Sequence, residues 1–167
     1  AMSFDVARAV LTNLEIHPDV TYEITADFLL QGENAKGRTY RHSVGTSFFE
    51  ISHDSRSRKP FYQVIWTNHG SLGNFTKNTP EFRTSVDEIL NKWVEMKWRF
   101  TPKPGYIKVD YYIDGVDQKR HEYYRAVSHP HWDGKSKLKL LLGLTRASAK
   151  ENTEQSLRVR NLTITMN

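Results

Sequence analysis

Two stretches of this 167-residue chain carry side chains suited to binding or acting on a ligand. One is His129-Pro-His131-Trp132, whose two imidazoles stand at i and i+2 and so fall on one side of an extended backbone. They could serve a sugar or a metal, but a zinc site needs further ligands that the neighbouring sequence lacks, so no metal is expected. A rigid loop edging a groove and an ordinary exposed loop are the readings that stand. The other stretch, residues 93–115, reads WVEMKWRFTPKPGYIKVDYYIDG. Its outward positions hold Trp93, Lys97, Arg99, Tyr106, Lys108 and Tyr112, rings on which a sugar can stack mixed with cations that attract an anion. A solvated sheet face has the same composition. Gln63, on an aromatic-rich segment and sharing parity with Phe61 and Ile65, either contacts a ligand or bonds backbone at the core edge. Arg56, Arg58 and Lys59 form a basic loop that could hold sulfate, uronate or phosphate, or simply be solvated.

The totals narrow the chemistry. There are no cysteines, so thiolate nucleophiles, disulfides and cysteine-ligated metals are excluded. No Gly-rich phosphate loop, G-x-S-x-G elbow or H-E-x-x-H pair occurs, and no cofactor is expected. A formal charge of +5 favours anionic partners. Nucleic acid is not the expected one: no RNA-recognition or helix-turn-helix pattern is present, and Glu95, Asp110 and Asp114 interrupt the positive face. No apolar run approaches the ~20 residues that span a bilayer, so no membrane partner is expected. The sequence is silent on oligomeric state.

The elements that would position these groups are strands. Val94, Met96, Trp98 and Phe100 alternate with polar neighbours, as do Ile107, Val109, Tyr111 and Ile113. Thr101-Pro-Lys-Pro-Gly105 reads as the turn joining them into a hairpin, and Asp114-Gly115 as the next turn. Further strands are expected at 4–10, 22–31, 38–44, 47–52 and 61–67, an irregular one at 116–127, and a leucine-rich one at 138–144. In the last, Leu157 and Val159 share one parity and Leu162, Ile164 and Met166 the other, which a bulge near Arg160-Asn161 would reconcile. Ser85-Val-Asp-Glu88 has the spacing of a helix capping box, or is a loop with that spacing by chance. Nine or ten strands with almost no helix and no repeat indicate a sandwich or a barrel, as one domain over residues 1–167, whole or excised from a larger protein. The expected fold class is all-β, a two-sheet antiparallel sandwich of the jelly-roll kind.

On these residues the chain resembles the concanavalin A-like jelly-roll superfamily, and within it the polysaccharide lyase-like members. Gly105-Tyr-Ile-Lys-Val-Asp-Tyr-Tyr-Ile-Asp-Gly115 is similar to their hairpin. Phe61-Tyr-Gln-Val-Ile-Trp66 resembles their glutamine-bearing strand, Leu140-Leu-Leu-Gly-Leu144 their late glycine-centred strand, and 157–164 their closing strand. The resemblance implies an acidic polysaccharide or other glycan as partner and an extracellular, cell-surface or virion-surface location.

It also implies a chemistry. β-Elimination from a uronate needs a group that neutralises the carboxylate, a base for the adjacent C–H proton and an acid for the leaving oxygen. The candidates are Gln63 and Arg41 (or Arg38) as neutralisers, with His129 and Tyr124 (or Tyr123) for proton transfer. The late strand departs from those lyases: Lys139, Leu141 and Thr145 stand where they carry tyrosine and lysine. Three functions are therefore carried forward: a glycan-recognising lyase-like jelly roll, an active lyase, and a structural or protein-binding β-sandwich of a surface or virion protein.

Overall fold

A computed structural model of the chain describes residues 8–11, 16–32, 45–53, 62–67, 72–73, 83–104, 106–118, 124–125, 138–146 and 155–167. Two antiparallel sheets face one another. The first contains five strands in the order β1-β10-β3-β4-β5, namely Arg8–Leu11, Leu138–Arg146, Gly45–His53, Tyr62–Thr67 and Leu72–Gly73. The second has the order β11-β2-β6-β7-β8, namely Gln155–Met166, Tyr22–Gly32, Trp93–Lys103, Tyr106–Ile113 and Val116–Asp117; β9 (Tyr124–Arg125) also pairs with β7. Each sheet joins a run of consecutive strands, β3-β4-β5 or β6-β7-β8, to strands distant in sequence, β1 and β10 in one and β11 and β2 in the other, and the single described helix is α1, Val86–Ile89.

Period-two patterning explains why these segments are strands. Tyr22, Ile24, Ala26, Phe28 and Leu30 of β2 are buried, as are Val94, Met96, Trp98 and Phe100 of β6. From the other sheet come Phe49 and Ile51, Val64, and Leu138, Leu140 and Leu142, so three leucines at this spacing override their helical preference because all three are buried on one face of the strand. Trp98 is the centre. Its ring stacks on Phe49 of the opposite sheet at 4.1 Å and on Tyr111 at 5.0 Å, while Phe28 meets it edge-on at 5.3 Å. Stacked and edge-on pairs each add ~0.5–1.5 kcal/mol beyond area burial, so this cluster is a strong tie between the sheets.

One expectation is corrected, and others lie partly outside the described residues. The hairpin turn is tighter than the 101–105 span: β6 runs on to Lys103, which pairs with Tyr106. Pro102 is tolerated there because its carbonyl accepts from Asp19 N–H, showing that this residue's backbone faces the β2 side, where the ladder has ended at Tyr22 and Phe100. The missing donor therefore breaks no rung. Of the strand expected at 116–127, two pieces are described, β8 and β9, and both pair antiparallel with β7: Val116 and Asp117 with Ile113 and Tyr112, and Tyr124 and Arg125 with Ile107 and Tyr106; Asp114 (φ 47) and Gly115 (φ 77) make the two-residue positive-φ turn that folds β8 back on β7. The first strand begins at Arg8 among the described residues; Phe4 and Val6 lie outside them, as does the strand expected at 38–44.

Two local expectations hold. Ladder register shifts between Arg160 and Thr163, and Asn161 has φ 54, so β11 carries the bulge that its parity change demands. At α1, Ser85 N–H donates to the Glu88 carboxylate, and the Ser85 hydroxyl adds a second donor, which together hold the Glu88 carboxyl below its ordinary range. The helix start is pinned to the sheet by Gln118, 2% exposed: its amide donates to Thr84 Oγ1 (2.8 Å) and Val116 O (3.1 Å), and its oxygen accepts from Thr84 N–H (2.9 Å).

Candidate functional site

The residues proposed for chemistry are divided between the two sheets. Gln63 belongs to β4 of the five-stranded sheet, whereas Tyr124 belongs to β9, paired with Ile107 in the six-stranded one. Arg41, His129, His131 and Trp132 lie outside the described residues, as do Arg38, Tyr123 and the 56–59 basic loop. Val64, opposite Phe49, is the β4 side chain described, and it is buried; Phe61 and the side chains of Gln63 and Ile65 lie outside the description.

In the five-stranded sheet, register aligns a row across four strands. Val10 stands opposite Leu141, Leu141 opposite Glu50, and Glu50 opposite Gln63. Glu50 lies between the buried Phe49 and Ile51, and Lys139 between the buried Leu138 and Leu140, so alternation turns both half-buried side chains to the outer face. Lys139 is opposite Ser52, one diagonal step from Glu50. This face thus places an amide-bearing position, a carboxylate and an ammonium within two rungs. Sequence reasoning found Gln63 and noted Lys139 only as a mismatch; Glu50 gave no signal, because its partner is known only from register.

Four of the hairpin candidates, Trp93, Lys97, Arg99 and Tyr112, gather on the outer face of the six-stranded sheet. Trp93 (36% exposed), Lys97 and Arg99 alternate with buried β6 residues, and Tyr112 stands opposite Lys97. Tyr106 and Lys108 occupy register positions opposite Lys103 and Thr101. Much of this face is already engaged with itself. The Arg160 guanidinium lies 4.0 Å from the Trp93 ring centroid and its Nε is 3.2 Å from Asp27 Oδ2, to which Asn161 Nδ2 also donates at 2.8 Å. Lys97 Nζ is 3.9 Å from Glu23 and 5.8 Å from the Tyr112 centroid. Exposed pairs of this kind are worth ~0–1 kcal/mol each, so they organise the face more than they stabilise the fold. Arg160, Asp27 and Asn161 were not legible as a cluster: they come from strands 133 residues apart and meet through the bulge. Among the described residues, no group of three His, Asp or Glu is placed to hold a metal ion.

No family model matches the chain, and no curated protein sequence does. Solved structures do. The alginate lyase AlgAT5 of polysaccharide lyase family 7 superposes with a TM-score of 0.56 at 15% identity, covering 90% of this chain and 61% of its own. The family 7 alginate lyase AlyA1 from Zobellia galactanivorans gives 0.52 at 13%, covering 92% and 64%. A sialidase gives 0.51 at 13%, over 87% of this chain but 13% of the sialidase. The chain thus spans less than two thirds of the length of these two lyases. Similarity at this level concerns the backbone, and by it the chain has the concanavalin A-like jelly-roll fold that polysaccharide lyases also use.

Proposed function

We propose that this chain recognises an acidic polysaccharide through the outer face of its five-stranded sheet. The observation that carries the reading is the convergence there of the glutamine-bearing strand and the late glycine-centred strand: β4 and β10 flank β3, and the Leu141, Glu50 and Gln63 positions form one row. Support also comes from the fold shared with two alginate lyases and from the positive charge of the chain, which attracts a polyanion over long range. A glutamine amide and the Lys139 ammonium are groups able to bind a uronate carboxylate. Such a polymer is met outside the cell, so the working location is extracellular or at a cell or virion surface.

A second surface is favoured by one observation, the half-exposed Trp93 ring beside Lys97, Arg99 and Tyr112, on which a sugar could stack. The decisive experiment is an array of acidic and neutral glycans, followed by titration of the best ligand into Gln63→Ala and Trp93→Ala variants. Loss of binding on Gln63→Ala with retention on Trp93→Ala is expected; the reverse would move the site to the hairpin face. A blank array would sink the carbohydrate reading in favour of a structural or protein-binding sandwich. Following ultraviolet absorbance with alginate, hyaluronan, heparin and polyglucuronate tests lyase activity at the same face, since β-elimination leaves an unsaturated sugar.

A further inference from the structure

Strand β11 closes the six-stranded sheet, and among the described residues nothing pairs with its far side. Among the described residues, three of the five exposed large hydrophobics sit on it: Val159, Leu162 and Met166, the last 60% exposed. A long free edge with apolar side chains is a template for strand addition, which proteins usually blunt with charge or a bulge. In β11 both devices occupy the first half, as Arg158, Arg160 and the bulge at Asn161. The half after the bulge, Leu162-Thr-Ile-Thr-Met166, carries no charge, no proline and no glycine.

The backbone of that half is suited to one partner in particular. Thr21 and Asn167 exchange both of their backbone hydrogen bonds at 2.9 Å. Alternation from that pair turns the N–H and C=O of Thr165 and Thr163 towards β2, and those of Leu162, Ile164 and Met166 to the open edge. We propose that this edge is the interface between two copies of the chain, joined antiparallel about Ile164. With Ile164 opposite its own copy, Leu162 meets the partner's Met166 and Met166 the partner's Leu162, so every outward-facing backbone group finds one that faces back. Each of these is a doubly hydrogen-bonded pair with apolar side chains in contact on the core-facing side. The threonines fall beside threonines on the other side. Both arginines lie beyond the paired segment, so no like charges are opposed. Any other centring of the strand on itself at an even position either shortens the apolar overlap or brings Arg160 nearer to its copy.

A five-residue seam sits at the weak end of protein association, so the dimer is expected to be concentration-dependent. Sedimentation equilibrium should show the mass climbing from 19.5 kDa towards twice that value between micromolar and near-millimolar protein. The double variant Leu162→Lys with Met166→Lys places lysine directly opposite lysine and should stay monomeric across the range with an unchanged melting temperature. Because the chain has no cysteine, register is tested separately: Ile164→Cys should cross-link to itself under mild oxidant, and Thr163→Cys, whose counterpart is the partner's Thr165, several-fold more slowly. A constant 19.5 kDa mass, a dimer that survives the double lysine variant, or equal cross-linking by the two cysteine variants would each overturn the proposal, as would a monomer whose edge instead captures an unrelated extended peptide.

Discussion

The indole of Trp98 allows a test in which two substitutions at one site should differ sharply. Its ring is fully buried between Phe49 and Tyr111, yet among the described residues Nε1 has no hydrogen-bond partner. Trp98→Ala removes the ring on which both sheets stack and should cost ~3–5 kcal/mol, the range for a large buried aromatic. Trp98→Phe removes two carbons and the N–H. At ~0.8 kcal/mol per buried carbon the lost burial is about 1.6 kcal/mol. Against it stands relief of an unpaired buried donor, itself ~1–3 kcal/mol, so the two effects nearly cancel and the net change lies within about 1 kcal/mol of zero. In a domain of this size 1 kcal/mol moves the melting temperature by roughly 2–4 °C, so Trp98→Ala should lower it by about 6–20 °C and Trp98→Phe by less than about 4 °C. Urea denaturation followed by far-ultraviolet circular dichroism gives the free energies without relying on tryptophan fluorescence. If Trp98→Phe is as damaging as Trp98→Ala, the claim that the N–H is an uncompensated cost is wrong.

Gln118→Ala deletes three hydrogen bonds to the part-buried Thr84 and to Val116, so a loss of ~1–3 kcal/mol is expected in the same urea measurement; a loss below about 0.5 kcal/mol would mean that the strut is dispensable. Glu88 has its carboxyl held below the ordinary 4.5 by the Ser85 amide and hydroxyl, so its contribution is present above that value and disappears as pH falls through the lower folded-state value. Stability curves of wild type and Glu88→Gln should therefore diverge above pH 4.5 and converge in more acid solution, and parallel curves throughout would contradict the capping role.

How far the sequence could be read depends on the range of the interaction. Strand alternation is set by neighbours two residues apart, so β2, β6, β7 and β10, the bulge in β11 and the buried state of Trp98 were all legible. The 101–105 turn was misjudged because a proline normally ends a strand, and only the position of Asp19 shows why Pro102 does not.

Local pattern determined that the chain is an all-β sandwich or barrel, that its core is aromatic and leucine-rich, and that it can have no cysteine chemistry; the two-sheet arrangement came from the tertiary structure. Which strands lie side by side was decided by tertiary structure alone, because backbone ladders accept any strand of compatible register and only the packing of whole faces selects among them. That selection puts Gln63 beside Glu50 and in one sheet with Lys139, sends Tyr124 to the other sheet, and seats Arg160 on Trp93. It also leaves the uncharged half of β11 on an open edge, a property of position that no amount of reading along the chain would reveal.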